Sequence, residues 1–201
     1  MISPEECKYY RWLGRFFTGA GAAVELGPWL GRSTLHIVAG LERSPGFRGR
    51  RLHVFDDFVW RSSWMDGYFT GTPPADGACF QSLFERNLGS TVARVVVRRC
   101  RFGDAEHGEA APPLTWTNGP IELLYIDCGR TYAVNQAWYE TLAPSFVPGT
   151  TVVVMQDWQT YKEIPAQPYN ETKRFTDAKG AALELIHELR GGQVGTFLFR
   201  G

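Results

Sequence analysis

The 201-residue chain reads as an α/β protein: a mostly parallel sheet, covered by helices on both faces, ending in an antiparallel hairpin. Three observations predict this. Short apolar runs alternate with segments of helical periodicity, as parallel strands joined by crossover helices do. The first such run, Ala22–Leu26, breaks at Gly27 and re-enters a helix past Gly31, so that backbone N–H groups and a helix N-terminus face the C-terminal edge of the sheet. Near the end of the chain, Gly191-Gly192 separates the strand-like runs Leu183–Leu189 and Val194–Arg200. That pair reads as the tight turn of a hairpin.

The elements follow in order. Ser3-Pro4-Glu5-Glu6 has capping-box spacing with Pro at the first helical position. Tyr9, Leu13, Phe16 and Phe17 then recur at helical spacing, giving a helix from Pro4 to Phe17 that Gly19-Ala20-Gly21 ends. After the first strand, a helix capped by Ser33 or Thr34 runs to Arg43, and Pro45-Gly46 breaks the chain. Arg51–Asp56 is the second strand. Asp57–Ala78, rich in aromatics, Gly and Pro, reads as a long loop over the site. A helix over Cys79–Asn87 leads to a third strand, Ala93–Arg99, and the breaker-rich loop 108–113 to a fourth, Ile121–Asp127. A helix over Thr131–Leu142 ends at Pro144, and Thr151–Met155 is the fifth strand. Gln159–Asn170 is another loop, followed by a helix to Lys179. One domain is expected, with an N-terminal helix over 1–19 and a core over 22–201.

Composition narrows the class. Lys+Arg and Asp+Glu number 21 each, so no net charge draws the chain to nucleic acid or anionic lipid. No apolar run is long enough for a transmembrane helix. Met1–Glu6 is polar and acidic, unlike a signal peptide. The four cysteines (Cys7, Cys79, Cys100, Cys128) form no C-x-x-C pair, which argues against zinc and against a disulfide framework. A reduced, cytoplasmic enzyme is expected, and nothing bars a homodimer.

Chemistry concentrates at the predicted strand tips. Glu25 ends the first strand beside the glycine loop. A carboxylate there repels a pyrophosphate and suits an ammonium or a sulfonium. The loop therefore fits a zwitterionic amino-acid ligand better than a dinucleotide, and G-x-G-x-x-G is absent. Asp56-Asp57-Phe58 ends strand two, Asp127 strand four and Gln156-Asp157-Trp158 strand five. Two carboxylates on neighbouring tips can hold a divalent cation or take a proton from a hydroxyl. The four histidines make no ligand spacing.

These four segments, Glu25–Thr34, Val54–Phe58, Leu124–Asp127 and Pro148–Trp158, together resemble class I S-adenosylmethionine-dependent methyltransferases. Within that class the chain is most similar to small bacterial O-methyltransferases of the macrocin type. The resemblance implies a Rossmann-like sheet of seven strands and S-adenosyl-L-methionine as cofactor. It also implies a small-molecule acceptor, with a hydroxyl oxygen expected as the methylated atom. Glu25, Gly27, Trp29, Gly31, Ser33 and Thr34 would face the methionine part of the cofactor. Asp56, with Asp57 as the alternative, would take the ribose hydroxyls. Phe58 would pack on the adenine, Asp104 would approach its amino group, and Asp127 would lie beside the sulfonium. Asp157 is the base candidate, with Tyr161 or Lys162 assisting. Trp60, Trp64, Tyr68, Arg130, Tyr132, Trp158 and Tyr161 would hold an acceptor. Similar sequences often read Asp-Gly-Asp after strand four and carry an acid before the strand-five aspartate. Here Cys128-Gly129-Arg130 and Gln156 stand in those places. That departure makes a cation on Asp127 and Asp157 less favourable. It also keeps open a second reading, a module that binds the cofactor and transfers nothing.

Overall fold

The computed structural model describes residues 2–103 and 111–201. A seven-stranded sheet is built from β1 (Ala22–Leu26), β2 (Leu52–Asp56), β3 (Val95–Arg99), β4 (Ile121–Ile126), β5 (Val152–Met155), β6 (Leu183–Glu188) and β7 (Gly195–Phe199). Its order is β3-β2-β1-β4-β5-β7-β6. The first five strands are parallel, and β7 runs antiparallel between β5 and β6. The strand order reverses beside β1, where β2 lies on one side and β4 on the other. That is the switch point at which open α/β sheets bind ligands.

The helices are α1 (Pro4–Gly14), α2 (Arg32–Leu41), α3 (Ser62–Met65), α4 (Gln81–Leu88), α5 (Tyr132–Leu142) and α6 (Glu171–Ala178). Alternation along the strands sorts two cores. Ala23, Val54, Leu123, Tyr125 and Val154 face one core with α1, α2 and α4. Val24, Leu26, Phe55, Leu124, Ile126 and Val153 face the other with α5 and α6. Period-two alternation between two helical layers is why these strands read as continuous apolar runs.

The expected capping box forms at α1: Ser3 Oγ accepts the Glu6 N–H and the Glu6 carboxylate accepts the Ser3 N–H. Thr131 caps α5 by accepting the Val134 N–H at 3.2 Å. Three expectations are corrected. Gly31, at φ +91°, occupies the N-cap of α2 in place of Ser33 or Thr34. The hairpin turn is longer than two residues, because Leu189 N–H closes on the Val194 carbonyl across Arg190–Gln193. The segment 57–78 contains α3 and is stapled at its base. Trp60 exchanges backbone hydrogen bonds with Gly77 and Ala78, and Phe80 N–H donates to the Phe58 carbonyl.

The staple fixes the base of that loop. Trp60 and Phe58 are fully buried, whereas Trp64 and Tyr68 are 46% and 56% exposed. Amides over 67–76 are therefore expected to exchange hydrogen fast without ligand and slower with S-adenosylhomocysteine. The Trp60 and Phe80 amides should stay protected in both states. Strong, equal protection over 67–76 with and without ligand would count against a lid.

Candidate active site

The acidic residues read from the sequence converge on the C-terminal edge of the sheet, on the tips of β1, β2, β4 and β5. Four features shape that edge. Gly27, at φ +77°, turns the chain out of β1. A Cβ there would lie 2.9 Å from the Asp127 carbonyl carbon and oxygen, so only glycine lets the β1 and β4 tips abut. Gly31 closes the loop by donating to the Pro28 carbonyl at 2.9 Å. No side chain caps α2, which leaves its first amides to be satisfied by water or a ligand. Among the described residues, three non-glycine residues adopt positive φ: Trp29 (46°), Phe58 (53°) and Asp157 (57°). They stand at the ends of β1, β2 and β5. Such strain gathers where a site over-determines the backbone.

Glu25 points into the α2 side of the sheet and is 1% exposed. Ser33 Oγ donates to one carboxylate oxygen at 2.6 Å and Thr34 Oγ1 to the other at 2.7 Å. Those hydroxyls were expected to meet a ligand carboxylate. In the fold they secure Glu25, which explains why neither caps the helix. Burial pushes the Glu25 carboxyl up to about 7, and the two hydroxyl bonds partly offset that push.

Asp56 is nearly buried, and its Oδ1 accepts the Phe58 N–H at 2.6 Å. Burial, then the charge of Asp57, raises its pKa from the ordinary aspartate value. Asp57 pairs with Arg61. Phe58 packs against Phe80 and Phe84 and offers no open face. The adenine contact expected of it is not available in this conformation. Asp104 lies outside the described residues.

Asp127 stands exposed at the mouth of the groove. Protein crowding on its inner side, then the Asp157 charge, pushes its carboxyl up, while Arg130 lowers it. Water at the mouth opposes that upward push. Arg130 Nη2 donates to Asp157 Oδ2 at 2.6 Å. Gln156, between the end of β5 and Asp157, turns its amide inward to Tyr10 and Glu6 of α1. Among the described residues no group of three His, Cys, Asp or Glu could hold a metal ion. With Gln156 engaged inward and a guanidinium on Asp157, the donor set does not fit a divalent cation.

The expected acceptor wall divides. Trp60 and Trp158 are core residues: the Trp60 indole donates to Asp66 at 2.7 Å and the Trp158 indole to Thr176 at 2.9 Å. Large indoles with a satisfied N–H and no exposure pack the fold and leave no face for a ligand. Tyr132 packs edge-on against Phe175, and Tyr161 sits edge-on against Trp158. Near the glycine loop the exposed rings are Trp64 and Tyr68, which lie 5.4 Å and 5.9 Å from the half-buried ring of Trp29. Hollows also lie away from this rim. One of about 340 Å³ at the opposite sheet edge is lined by Arg50, Arg51 and His53, and one of about 420 Å³ by Arg98, Arg99 and Cys100. Neither reaches Asp127 or Asp157.

Residues 24–157, which span the glycine loop and the tips of β2, β4 and β5, match a family model described as a methyltransferase domain. The chain belongs to that methyltransferase family. Solved structures agree on the fold of class I S-adenosylmethionine-dependent methyltransferases. The whole chain superposes on 82% of the cofactor-bound protein Rv0187 from MTB, at 17% identity and TM-score 0.64. It also superposes on 82% of the O-methyltransferase TomG from Streptomyces achromogenes, solved with S-adenosylmethionine, at 14% identity and TM-score 0.59. An O-methyltransferase from Bacillus cereus in complex with S-adenosylhomocysteine matches 98% of this chain and 82% of its own, at 17% identity and TM-score 0.60. No curated protein matches. Among the described residues no helix is long and apolar enough to cross a membrane.

Sequence reasoning missed the residues that α1 contributes. The sequence reading places Glu6 in the capping box alone and gives Tyr10 no role. Tyr10 packs its ring 5.2 Å from that of Tyr125, and both Tyr10 and Glu6 hydrogen-bond to Gln156. The signal was a glutamate and a tyrosine four residues apart, one turn along a helix.

Proposed function

We propose that the chain transfers a methyl group from S-adenosyl-L-methionine to a hydroxyl of a small molecule, in the manner of the macrocin-type enzymes it resembles. The observation that carries this reading is the row of acids Glu25, Asp56, Asp127 and Asp157 on four parallel strand tips around a glycine loop. Asp56 takes the ribose hydroxyls, and the free amides of α2 take the cofactor carboxylate. Trp29, Gly27 and Gly31 flank the methionine part, and Asp127 lies beside the sulfonium. The acceptor oxygen attacks the methyl carbon in line. The O–CH₃ bond forms, the S–CH₃ bond breaks with its electron pair returning to sulfur, and the hydroxyl proton passes to Asp157. The sulfonium is already activated, so positioning and proton removal are the protein's share. Arg130 orients the acceptor, and Trp64 and Tyr68 with Trp29 give it an aromatic wall. TomG, by its description, acts in tomaymycin synthesis, and a small-molecule acceptor is consistent with that likeness. No step is assigned to a metal.

Binding separates this reading from others. Calorimetry should detect S-adenosylmethionine or S-adenosylhomocysteine binding to the wild type. Asp56→Ala should weaken it by roughly 1–3 kcal/mol, the scale of hydrogen bonds to a charged group. Binding of NAD with none of the sulfonium cofactor would sink the proposal. Binding without transfer to any acceptor would favour the non-catalytic module, a reading that the Arg130 grip on Asp157 supports.

A further inference from the structure

We infer that Tyr10 and Glu6 of α1 are positioning residues for Asp157, acting through the side-chain amide of Gln156. The inference rests on the proposed role of Asp157 for its functional meaning, and on geometry alone for the coupling.

The linkage is continuous and buried. Tyr10 Oη donates to Gln156 Oε1 at 2.5 Å, and Gln156 Nε2 donates to Glu6 Oε1 at 3.0 Å. The second hydrogen of that amide faces Asp157 Oδ1 at 3.5 Å, the outer limit of a hydrogen bond. Glu6 also accepts the Gln193 N–H at 2.7 Å and the Ser3 N–H at 2.6 Å. Exposures of 2% for Glu6, 3% for Tyr10 and 9% for Gln156 show that water does not substitute for these partners. Burial, then the charges of Asp127 and Glu6, pushes the Tyr10 phenol well up, so it remains a donor.

Chemistry fixes the direction of every bond. Both Glu6 carboxyl oxygens act as acceptors, of the Ser3 and Gln193 N–H groups, so Glu6 faces the NH₂ of Gln156. The amide oxygen is thereby turned to Tyr10, and the remaining N–H can point only along the rim, to Asp157. A carboxylate at position 156 would instead face Glu6 at about the same 3.0 Å separation, like charge against like charge in a buried place. Asp157 needs such support. It holds a positive φ without being glycine, and its other oxygen is gripped by Arg130, an exposed side chain. The inner contact ties the carboxylate to the buried network, whereas the shorter outer bond ties it to a side chain that is itself 67% exposed.

The pair with Arg130 supplies a readout that needs no acceptor. Phenylglyoxal labelling of Arg130, followed by peptide mass spectrometry, reports whether Asp157 holds it. Asp157→Ala, which removes both oxygens, sets the released level. Tyr10→Phe removes one oxygen and keeps the packed ring, and should raise Arg130 labelling several-fold toward that level. Gln156→Leu should do the same, and the double variant should label no faster than Gln156→Leu alone, because both act through one amide. Affinity for S-adenosylhomocysteine should stay within about threefold of wild type. With any acceptor the wild type methylates, kcat should fall about tenfold in Tyr10→Phe while KM for the cofactor holds, which a general loss of packing would not produce. Wild-type labelling in Tyr10→Phe, or additive effects in the double variant, would overturn the inference. Absence of cofactor binding by the wild type would instead sink the methyltransferase reading and leave the labelling result standing.

Discussion

Asp157→Asn is expected to lower turnover by about two to four orders of magnitude while cofactor affinity stays within a few-fold of wild type. The asparagine keeps the shape of the side chain. Its amide oxygen can still accept from Arg130, which in the native chain reaches Asp157 Oδ2 at 2.6 Å. What it loses is the ability to take a proton at the other oxygen. The acceptor hydroxyl must shed that proton as the methyl carbon arrives, because otherwise an oxonium product forms. The same assay run with a chelator should show unchanged rates. The acids on the rim lack a third partner of metal-binding type among the described residues, and a guanidinium already neutralises one of them. Loss of activity on chelation, restored by magnesium, would reassign Asp127 and Asp157 as metal ligands and remove the base role.

The lattice of strands and helices was readable because each element carries its own local cause. Val24, Leu26, Leu124 and Ile126 alternate with residues facing the opposite core, and that period survives any detail of packing. Glycine positions were equally readable, since Gly27 and Gly31 mark where the backbone must turn. Side-chain direction was not. Whether Ser33 faces a ligand or Glu25 depends on how α2 sits on β1, a tertiary fact. Trp60 and Trp158 illustrate the same limit: an indole beside a strand tip suits a binding wall and a core equally, and only the partner of its N–H decides. In the native fold Asp66 and Thr176 are those partners. The α1 contribution was hidden for a further reason. Glu6 and Gln156 are separated by 150 residues, and no local pattern links them.

Glu25→Gln is expected to make the unliganded chain more stable near neutral pH and its hold on the cofactor weaker. Glu25 is a buried carboxyl whose pKa rises from an ordinary 4.5 to about 7. Between those values the folded chain keeps a proton that the unfolded chain has released. Stability therefore falls as pH rises through this window, by about 3 kcal/mol at most for a shift of that size, and is level above it. The amide variant carries no such proton, and it can still meet both hydroxyls, accepting from Ser33 and donating to Thr34. Its melting temperature should exceed that of wild type at pH 7.5 and the difference should vanish near pH 4.5. Cofactor binding runs the other way. A sulfonium and an ammonium above the glycine loop favour the ionised carboxylate, so ligand binding expels the proton. Wild-type affinity should climb with pH up to about 7, by at most tenfold per unit, and then flatten. In Glu25→Gln that slope should be absent and affinity at pH 7.5 lower than wild type. A variant that is destabilised at pH 7.5, or that binds the cofactor with an unchanged pH slope, would show that the charge of Glu25 is not what the site was built to hold.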